Sequence, residues 1–125
     1  MTLRTAVTFF AVSLLGLTAA CNSASRAVRA TGGDPAKGHD VLAHYGCTAC
    51  HSIPGLSQTG DVTGPSLAHV GSAATLADGQ VQNTPENLVL WIQAPARMKP
   101  STSMPSMNVN EKDARDIAAF LCTLR

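Results

Sequence analysis

The sequence predicts a small all-α fold in which about four helices and long loops wrap around a large apolar group. Four segments have helical patterns and caps, and none has the alternation of a strand. The connections between these segments are long for so small a domain. Large aromatic side chains are scarce after residue 20, so side chains alone would give a domain of this size only a poor core. Those that remain are Tyr45, Trp91 and Phe120.

Residues 1–20 are predicted to be a signal peptide that does not belong to the fold. Arg4 is followed by a run of about 15 apolar, small or hydroxylated residues, which is too short to span a membrane comfortably. The small residues before Cys21 resemble the lipobox of bacterial lipoproteins, and this resemblance implies lipid attachment to the Cys21 sulfur. The alternative is an ordinary secretory signal that is cut near Ala20. In both cases we expect export, and lipid at Cys21 would anchor the protein on the periplasmic side of a membrane.

Residues 21–33 are predicted to be a lipid-anchored linker, and residues 34–125 to be one folded domain. The linker is small, polar and slightly basic, and it has no periodic apolar face. Arg4 is one of the 9 basic residues, so the mature chain keeps 8 of them against 8 acidic residues. A formal charge of zero argues against binding to nucleic acid, which requires a basic surface.

The first helix is predicted from Asp34 to about Tyr45. Asp34 is a favoured N-cap, Pro35 suits the first helical position, and Gly46 can end the helix. A short second helix is predicted over residues 66–70, directly after the sequence TGP.

The third helix is predicted over residues 85–94, with Thr84 as its cap and Pro95 forcing its end. The last is predicted over residues 111–124, with Asn110 as its cap. Its apolar residues recur at the spacing of one helical face. They are Ala114, Ile117, Leu121 and Leu124.

The segment GCTACHSI, residues 46–53, concentrates nucleophilic and metal-binding side chains. Cys47, Cys50 and His51 form a C-x-x-C-H motif. Two thiols at this spacing can add to the two vinyl groups of one porphyrin, and the histidine that follows can coordinate its iron. Haem is large and mostly apolar, so it would also supply the missing core. We therefore predict one covalently attached c-type haem.

Two other kinds of site use similar residues. A dithiol redox site also contains C-x-x-C, but it favours a βαβ setting that this sequence lacks. A closed zinc site needs four ligands, and the candidates outside the motif are scattered single residues such as Cys122 and His69. We expect Cys122 instead to be a buried free thiol in the last helix.

The loop KPSTSMPSM, residues 99–107, offers a second iron ligand. Methionine sulfur is soft, favours ferrous iron and raises the reduction potential. Met104 lies in a polar loop and precedes Pro105, which restricts the backbone around it. Met107 is then predicted to be an apolar contact beneath the haem ring. The alternative ligands among the remaining histidines are His39, His44 and His69.

With these motifs the chain resembles the class I monohaem cytochromes c. The resemblance covers about residues 34–125 and is carried by GHDVLAHYGCTACHSI, TGPSLAHVG, NLVLWIQAPARMKPSTSMPSM and DARDIAAFLCTL. It implies that His51 is the proximal ligand and Met104 the distal ligand. It also implies that the Pro65 carbonyl accepts the other ring N–H of His51, and that the Trp91 indole reaches a haem propionate.

The same resemblance implies that Gly38 and Phe120 form the pair at which the first and last helices cross. Ser101 departs from the family, because many members have glycine before the distal ligand. This departure predicts a differently shaped methionine loop.

These residues predict a one-electron carrier rather than an enzyme, because two axial ligands leave no iron position for a small-molecule substrate. We expect redox proteins as partners, with a terminal oxidase of a bacterial respiratory chain as the acceptor. One alternative is a fixed cytochrome c subunit of a periplasmic dehydrogenase. Another is a haem protein that binds a ligand or acts as a sensor, if Met104 does not coordinate the iron.

Overall fold

The computed structural model describes residues 19–125, with side chains from residue 25 onward. Within this range the chain is mainly helical with long loops, which confirms the predicted all-α fold. None of these helices is long and apolar enough to cross a membrane. The helices are α1 (Ala19–Thr31), α2 (Pro35–His44), α3 (Pro85–Gln93), α4 (Pro95–Met98) and α5 (Glu111–Leu121).

The N-terminal predictions fall largely outside this range. Residues 1–18 of the predicted signal peptide lie outside the described residues, and so does the side chain of Cys21. The signal peptide and the lipid attachment therefore stay predictions.

The predicted linker differs from the observed structure, because α1 runs through most of it. The last turn of α1 packs on α5. Thr31 is completely buried, and the Arg115 guanidinium donates to the Thr31 carbonyl at 3.0 Å. This bond satisfies a carbonyl that a helix end otherwise leaves without a partner. The sequence predicted a linker without a periodic apolar face, but this segment is helical, and two small apolar residues of α1 pack against the core beside the bond from Arg115. They are Ala27 and Val28.

Helix α2 forms where it was predicted, and its cap explains why. The Asp34 side chain accepts from the backbone amides of Ala36 and Lys37, and Pro35 occupies the first helical position. The chain then leaves the helix at Gly46, which has a φ of 74°, a left-handed conformation that glycine adopts without steric cost.

Helices α2 and α5 cross with their backbones in contact at Gly38. A Cβ atom at this position would lie 1.9 Å from the Asp116 carbonyl oxygen. Leu42 and Ile117, each 1% exposed, fill the space beside the crossing. Glycine therefore permits the close approach, as the resemblance implied. Its nearest neighbour is the Asp116 backbone, however, whereas Phe120 makes an edge contact with the ring of His39.

Asp116 is a buried carboxylate at the same crossing. Its Oδ1 accepts from the Asp34 backbone amide at 2.7 Å, and its Oδ2 accepts from the Lys112 ammonium at 2.7 Å. The hydrogen bond from Lys112 is the main cause that lowers the pKa of Asp116. In its charged form the Asp116 carboxylate thus connects the start of α2 to α5.

Two elements between α2 and α3 differ from the predictions. The short helix expected over residues 66–70 is absent, and a single 3-10 turn forms at Val70–Ser72 instead. The chain packs on the residues after α5 at this point, where the Gly71 amide donates to the Leu124 carbonyl at 2.7 Å. A hairpin of two-residue strands, β1 (Thr75–Leu76) and β2 (Val81–Gln82), follows. Strands this short have no alternation for a sequence pattern to detect.

Helix α3 begins at its predicted cap, Thr84, whose hydroxyl accepts from the Asn87 amide at 3.2 Å. Pro95 ends α3 but also begins the short α4, which was predicted to be loop. Proline fits this position because the first residues of a helix need no amide donor. Helix α5 ends at Leu121, three residues before the predicted end.

Replacing Gly38 tests the crossing. In an exposed helix, Gly38→Ala would stabilise α2 by about 1 kcal/mol through helix propensity. Here the added methyl group collides with the Asp116 carbonyl, so we expect a destabilisation of about 2–3 kcal/mol. Urea denaturation followed by circular dichroism measures the difference. An unchanged or increased free energy of unfolding would show that the two backbones do not meet.

Replacing Asp116 tests the buried carboxylate. Asn keeps an acceptor for the Asp34 amide and removes the charge, so Asp116→Asn should cost about 1 kcal/mol at neutral pH. A lowered pKa stabilises the folded state above the ordinary Asp value of about 3.9, and this stabilisation is lost as the pH falls through the folded-state pKa. The difference between wild type and variant should therefore shrink below about pH 4. A difference that stays constant from neutral pH to pH 2 would contradict the ion pair.

Candidate functional site: a cavity between the C-x-x-C-H turn and the methionine loop

The C-x-x-C-H motif folds into one tight turn directly after α2. Residues Cys47–Ala49 form a 3-10 turn, and the Cys47 carbonyl accepts from the amides of both Cys50 and His51, at 3.2 and 2.9 Å. Side chains three residues apart lie on the same side of such a turn. The turn therefore presents Cys47 and Cys50 together and places His51 next to them.

The loop of residues 52–65 encloses this turn through backbone hydrogen bonds. The Thr59 amide donates to the Thr48 carbonyl at 3.1 Å, and the Gly64 amide donates to the Cys50 carbonyl at 2.9 Å. The Thr48 and Thr59 hydroxyls are hydrogen-bonded at 3.0 Å. A loop that looks irregular in the sequence is thus bonded to the turn at its middle and near its C-terminal end.

The Pro65 carbonyl determines which nitrogen of His51 is available. His51 Nδ1 lies 2.8 Å from the Pro65 carbonyl oxygen. A carbonyl oxygen can only accept, so Nδ1 carries the proton and donates it. In the neutral ring Nε2 then keeps its lone pair, which is the form that a metal ion binds.

Gly64 leaves room for the ring of His51. A Cβ atom at Gly64 would lie 2.6 Å from His51 Cε1 and 2.8 Å from Nδ1. The backbone of the loop therefore packs directly against the imidazole. Together with the bond to Pro65, this contact holds the ring in one orientation.

His51 lines a cavity of about 390 Å³. Met104 lines the same cavity from the methionine loop, although it lies 53 positions later in the sequence than His51. The volume lies within the range typical of cofactor sites. Most of the remaining wall is apolar, and it includes Leu67, Val70, Leu76, Leu88, Ile92 and Leu121.

These residues fit a haem. A flat apolar macrocycle packs against an apolar wall, and its iron can take an unprotonated imidazole nitrogen and a thioether sulfur as ligands. The cavity supplies the wall, His51 and Met104. The two cysteines stand on the turn that precedes His51 and do not line the cavity themselves. Burial raises the pKa of the Cys47 thiol, which favours its neutral form.

The methionine loop is held by hydrogen bonds between its own residues. The Met104 amide donates to the Thr102 hydroxyl at 3.2 Å, and the Thr102 amide donates to the Lys99 carbonyl at 3.0 Å. Ser101 does not have a positive φ angle, so serine meets no steric penalty here in place of glycine. Met107 does not line the cavity and is 37% exposed, so its place beneath the ring stays a prediction.

Trp91 lines the cavity, and its contact with a haem propionate stays a prediction. Two charged residues that the sequence did not indicate, Asp78 and Lys99, line the cavity as well. Asp78, on the turn of the hairpin, accepts a hydrogen bond from the Lys99 ammonium. Only the Lys-Pro pair at the start of the methionine loop could have drawn attention to Lys99. His69 also lines the cavity, although its side chain is exposed to solvent.

The two competing sites lack the necessary arrangement. Over the part of the chain that the structure describes, no three His, Cys, Asp or Glu side chains converge as a metal site would require. The motif also follows a helix, whereas a dithiol site favours a strand before it. Cys122 is a buried free thiol, as predicted, and burial raises its pKa.

Comparison with known proteins agrees with this geometry. The sequence profile named "Cytochrome c" matches residues 35–125. The chain is also 31% identical over 90 residues to a protein named "Cytochrome c oxidase subunit 2" from Alkalihalophilus pseudofirmus (strain ATCC BAA-2126 / JCM 17055 / OF4). This match covers 71% of the chain and 25% of the relative, so the chain spans about a quarter of that protein's length. The chain belongs to the cytochrome c family, in which a covalently bound c-type haem transfers electrons.

Proposed function

We propose that this protein is a one-electron carrier, not an enzyme, in which His51 and Met104 both coordinate the haem iron. The observation that carries this proposal is that both side chains line one cavity. The haem would be attached through Cys47 and Cys50, and its iron would supply reversible one-electron reduction. With both axial positions occupied, no substrate has access to the metal.

The chain's own residues would set the properties of the iron. The bond from His51 Nδ1 to Pro65 orients the proximal ring and makes its other nitrogen a better ligand. A thioether at Met104 favours the ferrous state and raises the reduction potential. The apolar wall excludes water, which also favours the less charged ferrous state.

We further propose a terminal oxidase of a bacterial respiratory chain as the electron acceptor. The similarity to a protein named as an oxidase subunit supports this assignment over a dehydrogenase. We also propose that the protein is exported and anchored on the periplasmic side of a membrane by lipid at Cys21. Such an anchor would confine the carrier to the surface on which its membrane-bound partners lie.

Replacing the distal ligand tests the carrier function. Met104→Ala opens one iron position, so carbon monoxide should bind the ferrous protein and the reduction potential should fall. If methionine leaves the wild-type iron for about 1% of the time or less, the apparent affinity for carbon monoxide should rise at least about 100-fold. Titration followed by visible absorbance measures this affinity.

Met107→Ala is the matched control, because it removes an exposed thioether from the same loop without touching the cavity. It should leave the affinity for carbon monoxide and the reduction potential unchanged. Wild-type protein that binds carbon monoxide as tightly as the Met104→Ala variant would instead indicate a ligand-binding or sensor protein.

Mixing experiments test the proposed acceptor. Reduced full-length protein should be oxidised by solubilised terminal oxidase from the source organism in air, at a rate that rises with oxidase concentration and is blocked by cyanide. Stopped-flow absorbance of the haem follows the reaction. Oxidation no faster than in buffer alone, combined with rapid reduction by a periplasmic dehydrogenase complex that retains the protein, would favour the subunit alternative.

A further inference from the structure

Lys99 is unusual because most of its side chain is shielded from solvent at the edge of the haem cavity. Only 12% of the side chain is exposed, although lysine is among the residues that proteins bury least. Among the described residues that line the cavity, it is the one that carries a permanent positive charge. A buried ammonium requires an anionic partner to offset its lost hydration.

The partner that the structure provides satisfies this requirement only in part. Asp78 accepts a hydrogen bond from the Lys99 ammonium, but the Asp78 side chain is 85% exposed. Solvent weakens an ion pair whose carboxylate is so accessible. The ammonium has three donors, and Lys99 lines a cavity that fits a cofactor with two propionate groups.

We propose that Lys99 binds a haem propionate, with Asp78 as a second partner that partly neutralises it. This inference depends on the proposed function only in that the haem occupies the cavity. The positive charge of Lys99 would favour the reduced haem, and the negative charge of Asp78 would oppose it. Although the two residues form one ion pair, Lys99 would thus raise the reduction potential and Asp78 would lower it.

This opposition separates the proposal from a mechanical role. The Lys99–Asp78 bond also connects the hairpin to the methionine loop. If its only function were to hold these segments together, breaking it from either side would have the same effect. If charge acts on the haem, the two variants must differ in sign.

The test uses full-length protein purified with its haem attached, and spectroelectrochemistry measures the reduction potential. Lys99→Gln should lower the equilibrium constant for reduction by about three- to tenfold, where tenfold corresponds to about 59 mV for one electron. Asp78→Asn should raise it by a smaller factor, because solvent screens this carboxylate. Lys99→Arg keeps the charge and should stay within about twofold of wild type.

Matched controls lie on α2, outside the cavity. Lys37→Gln and Asp40→Asn make the same charge changes at side chains that are 62% and 81% exposed, and neither should alter the potential measurably. A second readout examines the propionate itself. The redox-difference infrared bands of the haem carboxylates should shift in Lys99→Gln and not in Lys37→Gln.

Three results would overturn the proposal. They are shifts of the same sign in Lys99→Gln and Asp78→Asn, no shift in either, or a shifted potential with unchanged propionate bands. If Lys99→Gln fails to retain haem, the sign of the shift in Asp78→Asn and the infrared bands of Lys99→Arg still decide the question. Because all these variants keep Met104, a failure here leaves the carrier function to its own test with carbon monoxide.

Discussion

The structure depends on the contact between the backbones of α2 and α5 at Gly38. Without a side chain at this position, α2 meets the Asp116 carbonyl directly, and Leu42 closes the core beside it. The C-x-x-C-H turn follows α2 without an intervening loop, and Leu121 of α5 forms part of the cavity wall. The separation of these two helices therefore sets the distance between the turn that attaches the haem and the wall against which the haem packs.

The residues proposed to coordinate the iron lie on loops, and hydrogen bonds of the loop backbone hold those loops. The loop of residues 52–65 is bonded to the turn that it encloses, and Pro65 at its end orients His51. Met104 depends on bonds within its own loop. Buried backbone groups must be paired even where no helix or strand forms. A small domain can thus use irregular segments for ligand binding without losing precision, because each segment is tied to a neighbour.

Much of this arrangement could be predicted from the sequence. The starts of three helices follow from the side-chain caps Asp34, Thr84 and Asn110, which act on neighbouring residues. The haem motif is likewise local, because it is a contiguous pentapeptide. What the sequence did not indicate depends on tertiary contacts. The docking of α1 requires Arg115, which lies 84 positions after Thr31, and the pairing of Lys99 with Asp78 requires the hairpin turn. Neither contact leaves a periodic signal, because one or two side chains make it.

The docking of α1 has a mechanical consequence. A helix of 13 residues is about 20 Å long, and its last turn is locked to α5 by a buried threonine and a guanidinium. A helix docked in this way transmits a twisting force to the domain, whereas a flexible linker would not. A restraint on the N-terminal end of α1 would therefore favour one tilt of the cytochrome c domain. Other molecules could then reach the domain only from certain angles, whatever the chemistry of their surfaces.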